Sequence, residues 1–168
     1  MAYCILNIAL DTPLNSSFDY RWPCAPGQEP VAGQLALVSF GRREVVGLII
    51  EVKFSTEVPA DKLKDALAVR SQLAPLTPQW LALAAFAADY YQRPLGEVAL
   101  PGLPKNLRVL TTVALDRALK KLGKHDAAHD HTPFDTPVLN PAQQEAADAI
   151  GGASGFVPIL LYGVTGSG

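Results

Sequence analysis

Between Val31 and Lys53 the sequence VAGQLALVSFGRREVVGLIIEVK carries two apolar runs separated by Gly41-Arg42-Arg43-Glu44. In the first, Leu35, Leu37 and Ser39 alternate with Ala36, Val38 and Phe40; the second runs from Val45 to Val52. β-branched runs bounded by glycine and charge predict a hairpin. Gly41 supplies backbone freedom at the turn and leaves room for another molecule to come close. Arg42 and Arg43 lie beside that opening, which suits a phosphate-bearing partner, although this stretch by itself reads first as a solvated hairpin tip.

The pattern extends on both sides. Ala2 to Leu10 predicts a first strand, and Asp11-Thr-Pro-Leu-Asn-Ser-Ser a turn-rich connection. In Phe18-Asp19-Tyr20 the strand period places both aromatics on one face and Asp19 on the other. The aromatics would pack inward and the carboxylate point outward, where it can accept hydrogen bonds from a base amino edge or a sugar hydroxyl. It would repel phosphate, so it suits the end of a nucleic-acid strand better than its middle; a solvated aspartate on a core strand fits the same pattern. Cys24 to Gly33 is a Pro/Gly-rich loop, and Phe54 to Leu67 a polar connection with Lys62 and Lys64 near its end. Ala66 to Ser71 predicts a short strand. Thr77-Pro78 predicts a helix start, with the helix reaching about Gln92 before Pro94. Trp80, Leu83, Ala84, Phe86, Ala87 and Tyr91 are its expected core residues. Leu95 to Pro104 reads as an exit from this domain.

Leu110 to Leu122 has helical periodicity with a basic face, and Gly123 to Pro137 reads as a linker. His125, His129 and His131 have a spacing that admits metal ligation, but their Pro, Gly and Asp neighbours fit a flexible polar loop, and no metal site is assigned. Asn140-Pro141-Ala142-Gln143 predicts a capped helix with Gln143 in the capping-box position, running from Ala142 to Ile150. Pro158 to Tyr162 predicts a short strand leading into Gly163-Val164-Thr165-Gly166-Ser167-Gly168.

Composition narrows the class. The 168 residues suffice for one domain and part of another, and 49% apolar with 18% charged residues is a folding composition. A net charge of −2 argues against coating nucleic acid through bulk charge, though not against a local site. Basic residues are uneven: Lys105, Arg108, Arg117, Lys120, Lys121 and Lys124 face only Asp116 in their stretch. The two cysteines, Cys4 and Cys24, match no zinc spacing and read as reduced thiols. The start of the chain lacks a basic lead, and no apolar run approaches a membrane span. The expectation is a soluble, cytoplasmic protein with no membrane partner.

The last residues, Gly163, Val164, Thr165, Gly166, Ser167 and Gly168, open the phosphate-loop pattern G-x-x-x-x-G-K-S/T after an apolar stretch. That loop needs a lysine on the phosphates and a hydroxyl on magnesium, and neither follows within this sequence. The chain is therefore expected not to hydrolyse ATP alone, to hold no catalytic residue, and to belong to a longer NTPase.

Four features in order resemble the N-terminal part of the bacterial primosomal protein N-prime (PriA) family of replication-restart helicases. They are Ser17-Phe18-Asp19-Tyr20; Val38-Ser39-Phe40-Gly41-Arg42-Arg43 before Val46-Gly47-Leu48-Ile49; Ala88-Asp89-Tyr90-Tyr91 with Pro94-Leu95-Gly96-Glu97; and Leu139-Asn140-Pro141-Ala142-Gln143 before LLYGVTGSG. The resemblance implies a compact, mainly β module that binds the 3′ end of the nascent leading strand at stalled forks. Its pocket would involve Phe18, Asp19, Tyr20, Gly41 and Lys64, with Arg42 and Arg43 near phosphates. It implies that Gln143 reads adenine, in competition with its capping role. It also implies primosome proteins and single-stranded-DNA-binding protein as partners. ATP, magnesium and zinc are implied only for the full-length family, with no cofactor in this chain.

The fold expectation is α+β. A mainly β DNA-end-binding module with one main helix spans 1–104. A basic helix and linker span 105–138, too short an interval for the family's full winged helix. The first helix and strand of an α/β P-loop helicase lobe span 139–168. The rival expectation is a β-rich interaction module without a DNA role.

Overall fold

A computed structural model describes residues 3–24, 27, 29–109, 111–128 and 138–163. Its strands are β1 (Tyr3–Ala9), β2 (Phe18–Pro23), β3 (Leu35–Phe40), β4 (Arg43–Lys53) and β5 (Lys64–Val69). They close into a barrel in the order β1-β2-β5-β3-β4, with β4 returning to pair with β1. The pairings are antiparallel except β2 with β5, which is parallel and joins only Tyr20 to Lys64 and Arg21 to Asp65.

The predicted hairpin forms. β3 and β4 pair from Leu35↔Leu48 to Phe40↔Arg43, leaving Gly41 and Arg42 as the turn. Gly41 has φ +59, the glycine-first arrangement that a two-residue turn needs to follow the strand twist. β5 begins at Lys64, two residues earlier than the sequence pattern placed it. Lys64 and Asp65 are polar and exposed, so only backbone pairing with β2 marks them as strand.

Alternation divides the apolar side chains between two cores. Inside the barrel Cys4, Leu6, Ile8, Tyr20, Ala36, Val38, Ile49 and Ala66 pack together, with Phe18, Phe40 and Trp22 against them. On the outer face of β3 and β4, Leu35, Val46 and Leu48 meet the helices through Ala84, Ala99, Leu100 and Leu103. These helices are α1 (Pro78–Tyr90) and α2 (Leu95–Ala99), followed by α3 (Lys105–Val109) and α4 (Thr112–Ala128). Thr77 caps α1 by accepting from the Trp80 N–H at 3.2 Å, as its sequence predicts. The helix ends at Tyr90, two residues short of the predicted end, because Gln92 turns left-handed at φ 51.

Several expectations are corrected. Leu83, Phe86 and Tyr91 are not core residues but 63%, 65% and 69% exposed. Helix α1 buries Ala84 and Ala88 and leaves Phe86 stacked on Tyr90, centroids 5.9 Å apart, on its outer side. The segment from Leu95, expected as the exit from this domain, begins as a packed helix. α2 lies against the barrel so closely that a Cβ on Gly96 would collide with the backbone of Leu10. Helix α4 continues through Gly123 to Ala128, where a linker was expected.

The chain divides into two compact units, Met1–Asp126 and Ala127–Gly168. The first extends past residue 104 because α3 and the start of α4 belong to it. Fully buried Arg70 donates through Nη1 to the Leu107 carbonyl, Gln72 Nε2 donates to Asp116 at 2.9 Å, and Leu115 is buried. The second unit holds α5 (Pro141–Gly151). Its capping box forms: Gln143 N–H donates to Asn140 Oδ1 and Asn140 N–H to Gln143 Oε1, both at 2.9 Å. The strand expected over Pro158–Tyr162 does not form. A strand is held by hydrogen bonds to a neighbour, and no partner strand for it is present among the described residues. Leu160 and Tyr162 are 90% and 92% exposed instead.

Candidate functional site: a lysine-lined cleft at the barrel end

At one end of the barrel a cleft of about 820 Å³ opens between β2, the β3–β4 hairpin and the segment after β4. It gathers Phe18, Asp19, Tyr20, Gly41 and Lys64, the five residues proposed for the pocket, with Asn7, Phe40, Lys53, Thr56 and Lys62. Each arrives for a local reason. The period of β2 sends Tyr20 into the core, where its hydroxyl donates to the Ser39 carbonyl at 3.0 Å on the cleft floor. Burial pushes that phenol above its ordinary pKa. Phe18 meets Phe40 edge-to-face at 5.0 Å, bracing the hairpin against β2. Gly41 ends β3 at the rim, where a Cβ would meet nothing within 4 Å. Lys64 reaches the cleft only because β5 closes the barrel beside Tyr20.

Asp19 points away from Tyr20, as the alternation predicts, but it is not a solvated carboxylate. Its side chain is 9% exposed and holds Lys53 Nζ at 3.0 Å from Oδ1. Asn7 Nδ2 donates to Oδ1 at 2.6 Å, Thr56 Oγ1 to Oδ2 at 2.6 Å, and Lys53 Nζ also to Oδ2 at 3.1 Å. Burial pushes the Asp19 pKa up, but the hydrogen bonds from Thr56, Asn7 and Lys53 outweigh it and hold the carboxyl below its ordinary value. Asn7 is the direct cross-strand partner of Asp19, and the β1–β4 register shifts next to it. Such bulges re-aim side chains.

Sequence reasoning missed Asn7, Lys53 and Thr56. Only a polar residue in the otherwise apolar β1, and a lysine closing an apolar strand, hinted at the first two. Arg42 and Arg43 stay outside the cleft lining, exposed at the hairpin tip. Gln143 caps α5, while 164–168, the rest of the expected phosphate loop, lie outside the described residues. Of the three histidines, His129 and His131 lie outside them as well. Among the described residues no group of His, Cys, Asp and Glu is arranged to hold a metal, and no helix is long and apolar enough to cross a membrane.

A small closed barrel with a polar, cation-bearing cleft at one end defines a ligand-binding β-barrel domain, one that offers a carboxylate, hydroxyls and lysines to a polar ligand. The family model described as the 3′DNA-binding domain (3′BD) of PriA matches residues 7–104, and the chain belongs to that family. A protein named Replication restart protein PriA from Treponema pallidum is 30% identical over 171 residues, covering 97% of this chain and 24% of that protein. One of the same name from Haemophilus influenzae is 38% identical over 105 residues, covering 62% of this chain and 14% of that protein. The chain thus spans less than a quarter of either relative's length. Its barrel is the DNA-binding module of an N-terminal region of this type.

Proposed function

We propose that the cleft binds the 3′-terminal nucleotide of a DNA strand, such as the nascent leading strand at a stalled fork. The observation that carries this is Asp19, a carboxylate held by three hydrogen bonds in a cleft whose lining also carries Lys53, Lys62 and Lys64 beside Glu57. A terminal 3′-hydroxyl is a hydrogen-bond donor and pairs with a carboxylate. A continuing strand or a 3′-phosphate offers only anionic acceptors at that position and is repelled. Gly41 leaves the rim open for the terminal base or sugar, and Phe18 and Tyr20 hold the cleft wall in shape. Lys62 and Lys64 meet the phosphates that precede the end, with Arg42 and Arg43 further out; such contacts position the strand without reading its sequence.

The remaining roles rest on the family resemblance. A longer protein carrying this module acts as an ATP-dependent helicase in the cytoplasm, with primosome proteins and single-stranded-DNA-binding protein as partners. Gln143 and the loop from Gly163 would serve its nucleotide, and magnesium and zinc would be held by other parts. DNA-end binding itself calls on no cofactor.

The test is fluorescence anisotropy with two single strands labelled at the 5′ end, identical except for a 3′-hydroxyl or a 3′-phosphate, at low salt. The hydroxyl strand is expected to bind at least ten-fold more tightly, and Asp19→Ala to remove most of that difference. Equal affinities for the unmodified protein would overturn the reading.

A further inference from the structure

We infer that Lys53 is the exchangeable partner of the Asp19 carboxylate: it covers the carboxylate in the empty cleft and transfers to a DNA phosphate when the 3′-hydroxyl takes its place, a step that rests on the end-binding reading above. A carboxylate offers about four acceptor positions on its two oxygens. At Asp19 three are filled by hydrogen bonds, from Asn7 to Oδ1 at 2.6 Å and from Thr56 at 2.6 Å and Lys53 Nζ at 3.1 Å to Oδ2, and the same Lys53 Nζ lies 3.0 Å from Oδ1, so that the ammonium covers both oxygens. With the Asp19 side chain only 9% exposed, a hydroxyl gains an oxygen by taking the place of a group that covers it.

Two of the three are fixed. Asn7 stands directly opposite Asp19 in the β1–β2 ladder, so its amide is aimed by the strands themselves. The Thr56 hydroxyl also accepts from the Val58 N–H at 3.1 Å, which ties it to its own loop. Lys53 differs on each count. It is the last residue of β4, it makes the longest contacts, and its side chain is 30% exposed on the wall of the cleft. Its four-carbon stem lets the ammonium move several ångströms without moving the backbone.

Displacement also has somewhere to send the charge. A terminal nucleotide seated on Asp19 brings the phosphate that joins it to its neighbour toward the same cleft, which Lys53 lines. One hydroxyl–carboxylate hydrogen bond replaces one ion pair, and the ion pair re-forms on the phosphate. The empty cleft thereby avoids an uncompensated, mostly buried carboxylate, and the filled cleft keeps Lys53 paired. Lys64 and Lys62 enter from β5 and the segment before it and do not touch Asp19 in the described contacts.

The measurement is the salt dependence of binding to the 3′-hydroxyl strand for the unmodified protein, Lys53→Met and Lys53→Arg. Each phosphate neutralised on a single strand contributes about 0.7 to the slope of log K against log salt. Lys53→Met is expected to flatten the slope by about 0.7, with the two affinities converging at high salt, and Lys53→Arg to restore it. Lys53→Gln repeats the loss with a polar side chain, so that one poorly folded variant does not decide the outcome. An unchanged slope in Lys53→Met and Lys53→Gln, with the unmodified protein still preferring a 3′-hydroxyl to a 3′-phosphate, would overturn the transfer alone. Loss of that preference in the unmodified protein would overturn the end-binding reading and the transfer with it.

Discussion

At the scale of residues, Asp19 decides how the cleft behaves. A carboxylate with little exposure is costly unless its oxygens are satisfied, and here two neutral donors and a lysine satisfy them. Replacing it by asparagine turns one acceptor into a donor that faces the donor group of Asn7 or of Thr56, with Lys53 beside it in either case. With Lys53 partly exposed, the loss is expected to be about 1–2 kcal/mol in urea unfolding. Because the folded-state value is depressed, the charge stabilises the fold fully above the ordinary value of 3.8 and progressively less as pH falls through the lowered one. The gap between the unmodified protein and Asp19→Asn should therefore be constant near neutrality and close on acidification below 3.8; a gap that persists there would contradict the charge-based account. The direction of the Asp19 side chain was legible in the sequence, because strand alternation is a local rule. Its partners were not, since Asn7, Lys53 and Thr56 are 12, 34 and 37 positions away. Register, not composition, brings them together.

At the scale of elements, local signals read well and faces read poorly. The Thr77 cap, the Asn140–Gln143 capping box and the Gly41 turn all stand where the sequence marked them, because each depends on neighbours within a few residues. Thr77→Ala should cost about 1 kcal/mol, measured as a shift of the urea midpoint with unchanged slope. The face of α1 was misread for a physical reason. Alanine, leucine and aromatics occupy nearly every side of PQWLALAAFAADY, so helical periodicity cannot select which side is buried. The small residues Ala84 and Ala88 are the buried ones, and the rings of Phe86 and Tyr90 stay outside. A similar close approach fixes α2, where Gly96 lies on the backbone of Leu10. Gly96→Ala should lower stability by about 1–3 kcal/mol through overpacking, read in the same unfolding experiment; a neutral result would mean that α2 is not held against β1.

At the scale of the whole molecule, the barrel is closed by the one contact a sequence pattern is least able to announce. β2 and β5 pair in parallel through Tyr20–Lys64 and Arg21–Asp65, and this closure carries Lys64 to the cleft. The same dependence on partners explains why Pro158–Tyr162 forms no strand: the apolar pattern is right, but no neighbour among the described residues supplies the hydrogen bonds. Helix α5 buries none of its residues. In hydrogen exchange of this chain its amides are expected to exchange through local opening near zero free energy, while those of β1 and β4 exchange only with global unfolding. Strong protection of α5 would show that the second unit is stabilised beyond its own contacts. The central claim, that the cleft takes a strand end, is tested most directly by comparing a linear single strand with a covalently closed circle of the same sequence, by competition at low salt. The account expects the linear strand to displace a labelled 3′-hydroxyl probe at concentrations at least ten-fold lower than the circle. Equal competition by the circle, which has phosphates and bases but no end, would contradict it.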